Sequence, residues 1–123
     1  MILNRIKNAL QSICAENNIT GVTYGQKRQH MNERWNYFIF QRGTIEQKNH
    51  GDFVTTYLVS IVCENYIPEG LEATVRAALK SDSEGILLVP TKDDIQYEYI
   101  FKGQSDIVVE ICTMAMYHPE KRI

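Results

Sequence analysis

Three histidines and three cysteines are the side chains of this sequence best suited to metal or redox chemistry. They are His30, His50, His118, Cys14, Cys63 and Cys112. The histidines stand far apart, in predicted loops or in the C-terminal tail, and each cysteine lies inside an apolar pattern. Zinc sites and redox motifs place cysteines in close pairs, and this sequence has none. We therefore interpret the cysteines as buried thiols in a reducing compartment, and the histidines as surface residues that hold no metal.

The carboxylates form no recognisable acid–base pair. Asp93 and Asp94 have the residue types of half a divalent-cation site, but they follow Pro90 in a stretch that is typical of a turn. Glu98 and Glu110 alternate with apolar residues on predicted strands, so we interpret them as facing solvent.

Catalytic motifs are missing as well. Gly21 and Gly25 flank a predicted strand and open no helix, so they do not make a phosphate loop. The sequence has neither a nucleophile elbow nor a metalloprotease helix motif. We predict no catalytic, cofactor-binding or metal-binding residue, and we expect a non-enzymatic interaction or structural protein.

Positive charge is concentrated in one part of a chain whose net charge is −2. Residues 26–50 hold two carboxylates, Glu33 and Glu46, against five basic side chains: Lys27, Arg28, Arg34, Arg42 and Lys48. Such a region suits an acidic partner. Aromatic side chains run through residues 35–40 as they do in core strands, and the pI of 5.9 is low for a nucleic-acid module. Direct nucleic-acid binding is therefore not expected.

The spacing of apolar residues predicts the elements that carry these side chains. Helical spacing occurs over residues 2–16 and 67–81. Strand patterns occur over residues 20–26, 35–42, 53–65, 86–89, 95–101 and 106–117. The order α-β-β-β-α-β-β-β predicts an α+β fold, with a mostly antiparallel sheet and two helices packed on one face. Residues 1–123 are assigned to a single domain, in which 118–123 form a polar, mobile tail.

The strand pattern over residues 53–65 is apolar on both faces, so both faces need cover. Two short helices cover about one face of such a sheet. The other face, to which we assign Leu58, Val62, Met114 and Met116, is then covered by a neighbouring subunit. A curled, barrel-like sheet would satisfy the pattern equally well.

The segment GTIEQKNHGD, residues 43–52, connects two of these strands and has no hydrophobic pattern. It is longer than the roughly two to five residues of an ordinary hairpin loop. We therefore predict a polar loop that projects from a rigid sheet.

Nothing in the sequence predicts a membrane segment. No apolar run approaches the roughly 20 residues that span a bilayer. Asn4, Arg5 and Lys7 interrupt the N-terminal stretch, so we do not expect a signal peptide. The predicted location is the cytoplasm.

The succession of elements resembles that of a known family. A helix near ILNRIKNAL precedes a strand with Tyr24, a WNYFIFQR strand, the long polar segment, a YLVSIVCEN strand, a GLEATVRAAL helix and a YEYIFKGQSDIVVEI strand pair. Over most of its length the chain is similar to the small tail-completion or tail-terminator proteins of long-tailed bacteriophages and prophages. No sequence motif marks this family, and related neck and minor capsid proteins are similar at this level.

The resemblance implies a subunit of a ring, typically a hexamer, at the head-proximal end of the tail tube. Such a ring stops tube polymerisation and joins the head, first in the cytoplasm of the bacterial host and then in the virion. Its partners would be other copies of itself and the tail-tube and neck proteins. We expect the partner-facing residues in and beside the predicted loop: Arg42, Lys48, His50, Asp52, Lys27, Arg28 and Arg34.

Other functions remain open from the sequence. One is another phage neck component, either a head-closure or a minor capsid protein. Another is a small α+β ligand-binding or enzymatic domain with a pocket at the sheet edge. A third is a bacterial immunity or adaptor protein.

Overall fold

The N-terminal apolar stripe folds as helix α1 (Ile2–Ser12), which buries Ile6 and Leu10. The structure, a computed structural model, describes residues 2–49, 51–80, 88–92 and 95–121. A 3-10 turn, Ala15–Asn17, follows α1, and Asn18 closes it with a φ of 57°. Asparagine adopts this left-handed conformation more readily than most residues. The predicted helix is therefore shorter than expected, because the chain tightens and turns before residue 18.

Helix α2 (Leu71–Lys80) buries Leu71, Val75 and Leu79, as its spacing predicts. Lys80 lies in its last turn, where the helix dipole favours a positive charge. Residues 81–87 lie outside the described residues, and with them most of the strand predicted over 86–89. The turn predicted at residues 93 and 94 lies outside them too.

The described residues include six strands, which form one sheet. They are β1 (Gly21–Tyr24), β2 (Asn36–Asn49), β3 (Asp52–Glu64), β4 (Val89–Pro90), β5 (Gln96–Phe101) and β6 (Val108–Lys121). The order across the sheet is β1-β2-β3-β6-β4, and β5 pairs with a different part of β6. Among the described strands, only β1 and β2 are parallel. The α+β class and the mostly antiparallel sheet are confirmed, and the elements follow in the predicted order.

The main core lies between the two helices and one face of the sheet. Ile6 and Leu10 of α1 belong to the same buried cluster as Val75 and Leu79 of α2. The sheet contributes alternate residues of its central strands: Phe38, Phe40, Val59, Ile61, Cys112, Met114 and Met116. The assignment of Met114 and Met116 to the other face is therefore wrong. Met114 is registered opposite Val59 and Met116 opposite Tyr57, which places both on the helix side.

The polar segment after Arg42 is a strand, so the loop predicted over residues 43–52 is wrong. β2 continues through Asn49, which pairs with Asp52, and only residues 50 and 51 join the strands. A bulge near Gly43 interrupts the pairing, because the register shifts by one residue between Arg42 and Ile45. A Cβ on Gly43 would lie 3.0 Å from the Thr56 carbonyl oxygen, so glycine fits this close approach. The segment lacks a hydrophobic pattern because residues 42–48 are all exposed and face no core.

The polar C-terminal segment is also a strand. β6 continues to Lys121, and residues 118–121 pair with residues 52–55 of β3, so the mobile tail predicted from residue 118 is wrong there. Pro119 is tolerated because β6 is at the edge of the sheet beyond Tyr117 among the described residues. The ends of β2, β3 and β6 thus form a three-stranded arm, defined as residues 43–49, 52–56 and 117–121.

Candidate interaction surface

The sheet face opposite the helices carries uncharged side chains across its three central strands. The register aligns Ile39 with Ser60 and Ser60 with Thr113 in one row, and Gln41, Leu58 and Ala115 in the next. Thr56 and Tyr117 form a further row. We call these eight residues the open face. All eight side chains are half-buried, and none is charged. The Ser60 and Thr113 hydroxyls lie 3.0 Å apart and hydrogen-bond to each other.

One end of this sheet side is covered by the chain that connects β1 to β2. Trp35, Tyr37, Val62 and Val109 form a second buried cluster there. The Gln29 amide donates a hydrogen bond of 2.9 Å to the Tyr37 hydroxyl. The Trp35 indole donates one of 3.0 Å to the His30 carbonyl oxygen. These contacts hold the connection beside the row of Tyr37, Val62 and Ile111, and Ile39 of the next row packs against the same cluster.

A buried ion pair fixes the covered end. Lys102, in the turn between β5 and β6, donates hydrogen bonds to the Glu64 carboxylate and to the Glu33 carbonyl oxygen. Its ammonium also lies 5.5 Å from the centre of the Trp35 ring. Lys102 is 5% exposed and Glu64 is 8% exposed.

The Glu64 carboxylate accepts a second hydrogen bond, of 2.9 Å, from the Trp35 amide. The hydrogen bond from Lys102 is the main cause that lowers the pKa of Glu64, against the opposing effect of burial. Sequence reasoning missed this pair, because no local pattern links residues so distant in the chain.

The prediction that Glu110 is solvent-facing also needs correction: its carboxylate accepts hydrogen bonds from the Ile67 amide (2.7 Å) and the Tyr99 hydroxyl (2.8 Å).

Beyond Ile39, neither buried cluster in the described part of the chain contains a residue of the open face. The buried apolar residues of both helices belong to the cluster on the opposite face. Leu58 and Val62 lie on the predicted side of β3, but only Val62 is buried under residues 26–35. The cover by a neighbouring subunit stays a prediction.

Strand β5 forms an exposed aromatic edge. Within the described ranges it pairs with β6 alone, and all six of its residues are exposed. Its largest exposed side chains are Tyr97 (41%), Tyr99 (63%) and Phe101 (62%). Beside it lies a groove of about 490 Å³, whose lining includes Tyr66, Glu69, Glu72, Tyr97 and Glu110. The edge therefore combines aromatic surface with negative charge.

A second cavity, of about 340 Å³, lies where β2 and β3 meet the end of α1 and its turn. Asn17, Asn36 and Glu64 line it together with Asn18 and Arg34. The two side-chain amides bond to the protein itself, Asn17 to the Ile13 carbonyl oxygen (2.8 Å) and Asn36 to that of Asn18. The polar groups that converge here therefore serve local structure.

The cysteines do not form a reactive centre. Cys63 and Cys112 are buried and Cys14 is half-buried, and all three are free. Burial raises the pKa of Cys63 to about 11, and it also raises the pKa of Cys14 and of Cys112. A protonated thiol is a poor nucleophile and a poor metal ligand. Within the described residues, no three His, Cys, Asp or Glu side chains come close enough to hold a metal ion.

The structure separates the residues predicted to face a partner into two groups. Arg42 and Lys48 are exposed on β2, and the Lys48 ammonium lies 3.0 Å from the Glu46 carboxylate. Asp52 is half-buried at the start of β3, while His50 lies outside the described residues. The remaining three belong to the covering connection: Lys27, Arg28 and Arg34.

Lys27 forms an ion pair of 3.4 Å with Glu33 and lies 5.4 Å from the centre of the Tyr37 ring. Arg28 and Arg34 are exposed. About 40 Å of strand separates Asn36, next to Arg34, from Lys48, at roughly 3.3 Å per residue. The seven residues therefore do not form one loop-borne patch, and their role in docking stays a prediction.

In the described residues neither helix is long and apolar enough to cross a membrane. Comparison with protein-family models and with curated proteins gave no significant match.

Proposed function

We propose that this chain is a non-enzymatic virion assembly protein of a long-tailed phage or prophage. It acts as a tail-completion or tail-terminator subunit that forms a homo-oligomeric ring, a hexamer, at the head-proximal end of the tail tube. There it ends tube growth and contributes to joining the head.

The open face carries this proposal. Antiparallel sheets that face water on one side usually alternate apolar residues with polar or charged ones. Here Ile39, Leu58 and Tyr117 share the face with hydroxyl and amide groups, and no charge interrupts it. Contiguous uncharged surface of this kind is typical of contact with another protein chain. An assembly subunit explains it better than an isolated enzyme does.

The three-stranded arm supplies a second contact surface, which differs from the open face because it carries exposed charge. Lys48 is exposed on it and Arg42 is exposed directly before it on β2, so complementary charges on a tail-tube or neck protein would steer docking. The paired backbone of β2, β3 and β6 makes the arm a preformed element. Docking on it costs less ordering than docking on a flexible loop would.

Complementation in a phage or prophage that carries this gene tests the function. Deleting the gene should give tails of abnormal, extended length without heads, as seen by negative-stain electron microscopy. A Leu58→Lys variant should fail to restore the normal length, and an exposed helix variant, Lys7→Glu, should restore it. Tails of normal length that lack heads would instead identify a neck component. Normal virions after the deletion would refute both roles.

A further inference from the structure

In the part of the chain that the structure describes, strand β5 ends one side of the sheet as a free, acidic edge. Free edges with exposed apolar residues readily pair with another strand, and proteins normally protect them with charge, bulges or covering chain. Ile100 is 41% exposed and Phe101 is 62% exposed on this edge. The charged side chains around it are mainly carboxylates: Glu69, Glu72, Glu98, Asp106 and Glu110. Lys102, the basic residue of the adjoining turn, is buried against Glu64.

The opposite side of the sheet ends in a free, basic edge. β1 pairs with residues 37–40 of β2 only. Among the described residues, no strand pairs with residues 41–48 on the side away from β3. Residues 42–48 are exposed, including Arg42, Ile45 and Lys48. We call residues 41–48 the arm edge and residues 96–101 the β5 edge.

The geometry points to a second copy of this chain as the occupant of each edge: we propose that the arm edge of one subunit pairs with the β5 edge of the next. The two edges lie on opposite sides of one sheet, carry opposite charge, and are similar in length, with eight and six residues. Pairing them continues the sheet from copy to copy. This inference rests on the proposed ring, because it adds an edge contact to the open-face contact between the subunits.

Charge selects this head-to-tail contact over symmetric ones. Two β5 edges placed together would bring their carboxylates, including Glu98, into one interface, and like charges disfavour such a contact. Two arm edges would likewise bring Arg42 and Lys48 towards their own copies. Because Arg42 and Lys48 outnumber Glu46 on the arm edge, only the mixed contact joins edges of opposite net charge. A head-to-tail contact repeats around a ring and closes when the rotation between subunits permits.

Side-chain faces agree across this contact. Glu98 is registered opposite Ile111 and therefore lies on the open-face side of β5. Glu46, registered opposite Val54, lies on the same side, and its ion pair with Lys48 offsets the like charge that it shares with Glu98. On the helix side, Tyr97 and Tyr99 of β5 would meet Arg42 of the next copy, an arrangement that suits cation–π contact.

Charge reversal on the full-length chain tests the contact. The arm variant carries Arg42→Glu and Lys48→Glu, and the β5 variant carries Glu98→Lys and Asp106→Lys. A matched control, Lys7→Glu with Lys80→Glu, changes the net charge as much as the arm variant but on exposed helix positions. Light scattering over a concentration series measures association, and circular dichroism verifies that each variant is folded.

Each edge variant alone should weaken association by about tenfold or more. Mixing the arm variant with the β5 variant should restore it, because every junction in an alternating assembly is then complementary. Mixing the control with the β5 variant should not restore the association of the β5 variant. On assembly, hydrogen exchange should slow at the backbone amides of residues 41–48 and 96–101.

Two results would overturn the inference. The first is an oligomer whose association is unchanged in both edge variants. It refutes the edge contact but leaves a ring with other contacts possible. The second is a monomer at all concentrations, which refutes the self-pairing itself. If the edges behave as expected but tail length in the phage is unaffected by the arm variant, the proposed function fails while the edge contact holds.

Discussion

Lys102 and Glu64 lie 38 residues apart in the chain, yet the Lys102 ammonium donates a hydrogen bond to the Glu64 carboxylate at the covered end of the sheet. The pair connects the β5–β6 turn to the end of β3, and Trp35 lies against it. The pair fixes the covered end. The row of Tyr37, Val62 and Ile111 separates it from the open face, which begins at Ile39 and Ser60.

Removing one partner of this pair should destabilise the fold strongly. Lys102→Met leaves the Glu64 carboxylate buried without its cation, and breaking a buried pair in this way typically costs about 3–5 kcal/mol. Urea unfolding measures the loss. The double variant Lys102→Met with Glu64→Gln should lose less than Lys102→Met alone, since no buried charge is left over. A loss in the double variant that equals the sum of the losses in Lys102→Met and Glu64→Gln would show that the pair is not coupled.

Stability should depend on pH through Glu64. Its pKa is lowered from 4.5 in the folded state, so its contribution is complete above 4.5. The contribution is lost as the pH falls through the lower, folded value. The difference in unfolding free energy between the wild type and Glu64→Gln should therefore be constant near neutral pH and shrink in acid. A difference that does not change with pH would contradict the assigned role.

Two substitutions of similar chemistry should separate folding from assembly. Met116 is 1% exposed in the core beneath the helices, so Met116→Lys should prevent folding. Leu58 is half-buried on the open face, so Leu58→Lys should leave the melting temperature within a few degrees of the wild type. Circular dichroism and light scattering measure the two effects. Unfolding of Leu58→Lys would place Leu58 in the core of the single chain.

The end of the arm should be dispensable for folding. The main buried cluster contains no residue between Phe40 and Tyr57. Replacing residues 46–54 by Asn-Gly would let the Ile45–Thr55 pair close a two-residue hairpin. The shortened chain should unfold cooperatively, with a loss of about 1 kcal/mol or less, but should no longer assemble. A chain that fails to fold would show that the arm supports the core.

The thiols should be unreactive in the native protein. Burial raises the pKa of Cys63 to about 11, so little thiolate is present at about pH 8. Cys14, which is only half-buried, should react first with a thiol reagent such as 5,5′-dithiobis(2-nitrobenzoic acid). Full reactivity should appear on unfolding in urea. Rapid labelling of Cys63 in the folded chain would contradict the burial.

Periodicity was sufficient to predict the elements that face a core. Leu71, Val75 and Leu79 repeat at helical spacing and are the buried stripe of α2, and the alternation from Thr55 to Cys63 follows the buried side of β3. The same signal fails where no core faces the strand. Residues 43–49 are held in β2 by backbone pairing with β3. Their side chains therefore show no apolar alternation from which the strand could be predicted.

Contacts between distant segments were not predictable either. Alternation correctly separates Met114 and Met116 from Ile111 and Thr113, but only the register with β3 shows which set faces the helices. The Lys102–Glu64 pair depends on a turn that meets the end of another strand, and single residues give no signal of this. The free edges follow from strand order, which one sequence does not reveal.

The solution mass of the full-length chain tests the central claim most directly. Light scattering at rising concentration should show assembly from the 14.2 kDa subunit towards a defined species, and a hexamer would have a mass of about 85 kDa, six times the subunit mass. The Leu58→Lys variant should stay smaller under the same conditions. A mass that remains at 14.2 kDa over the whole concentration range would contradict a self-assembling ring.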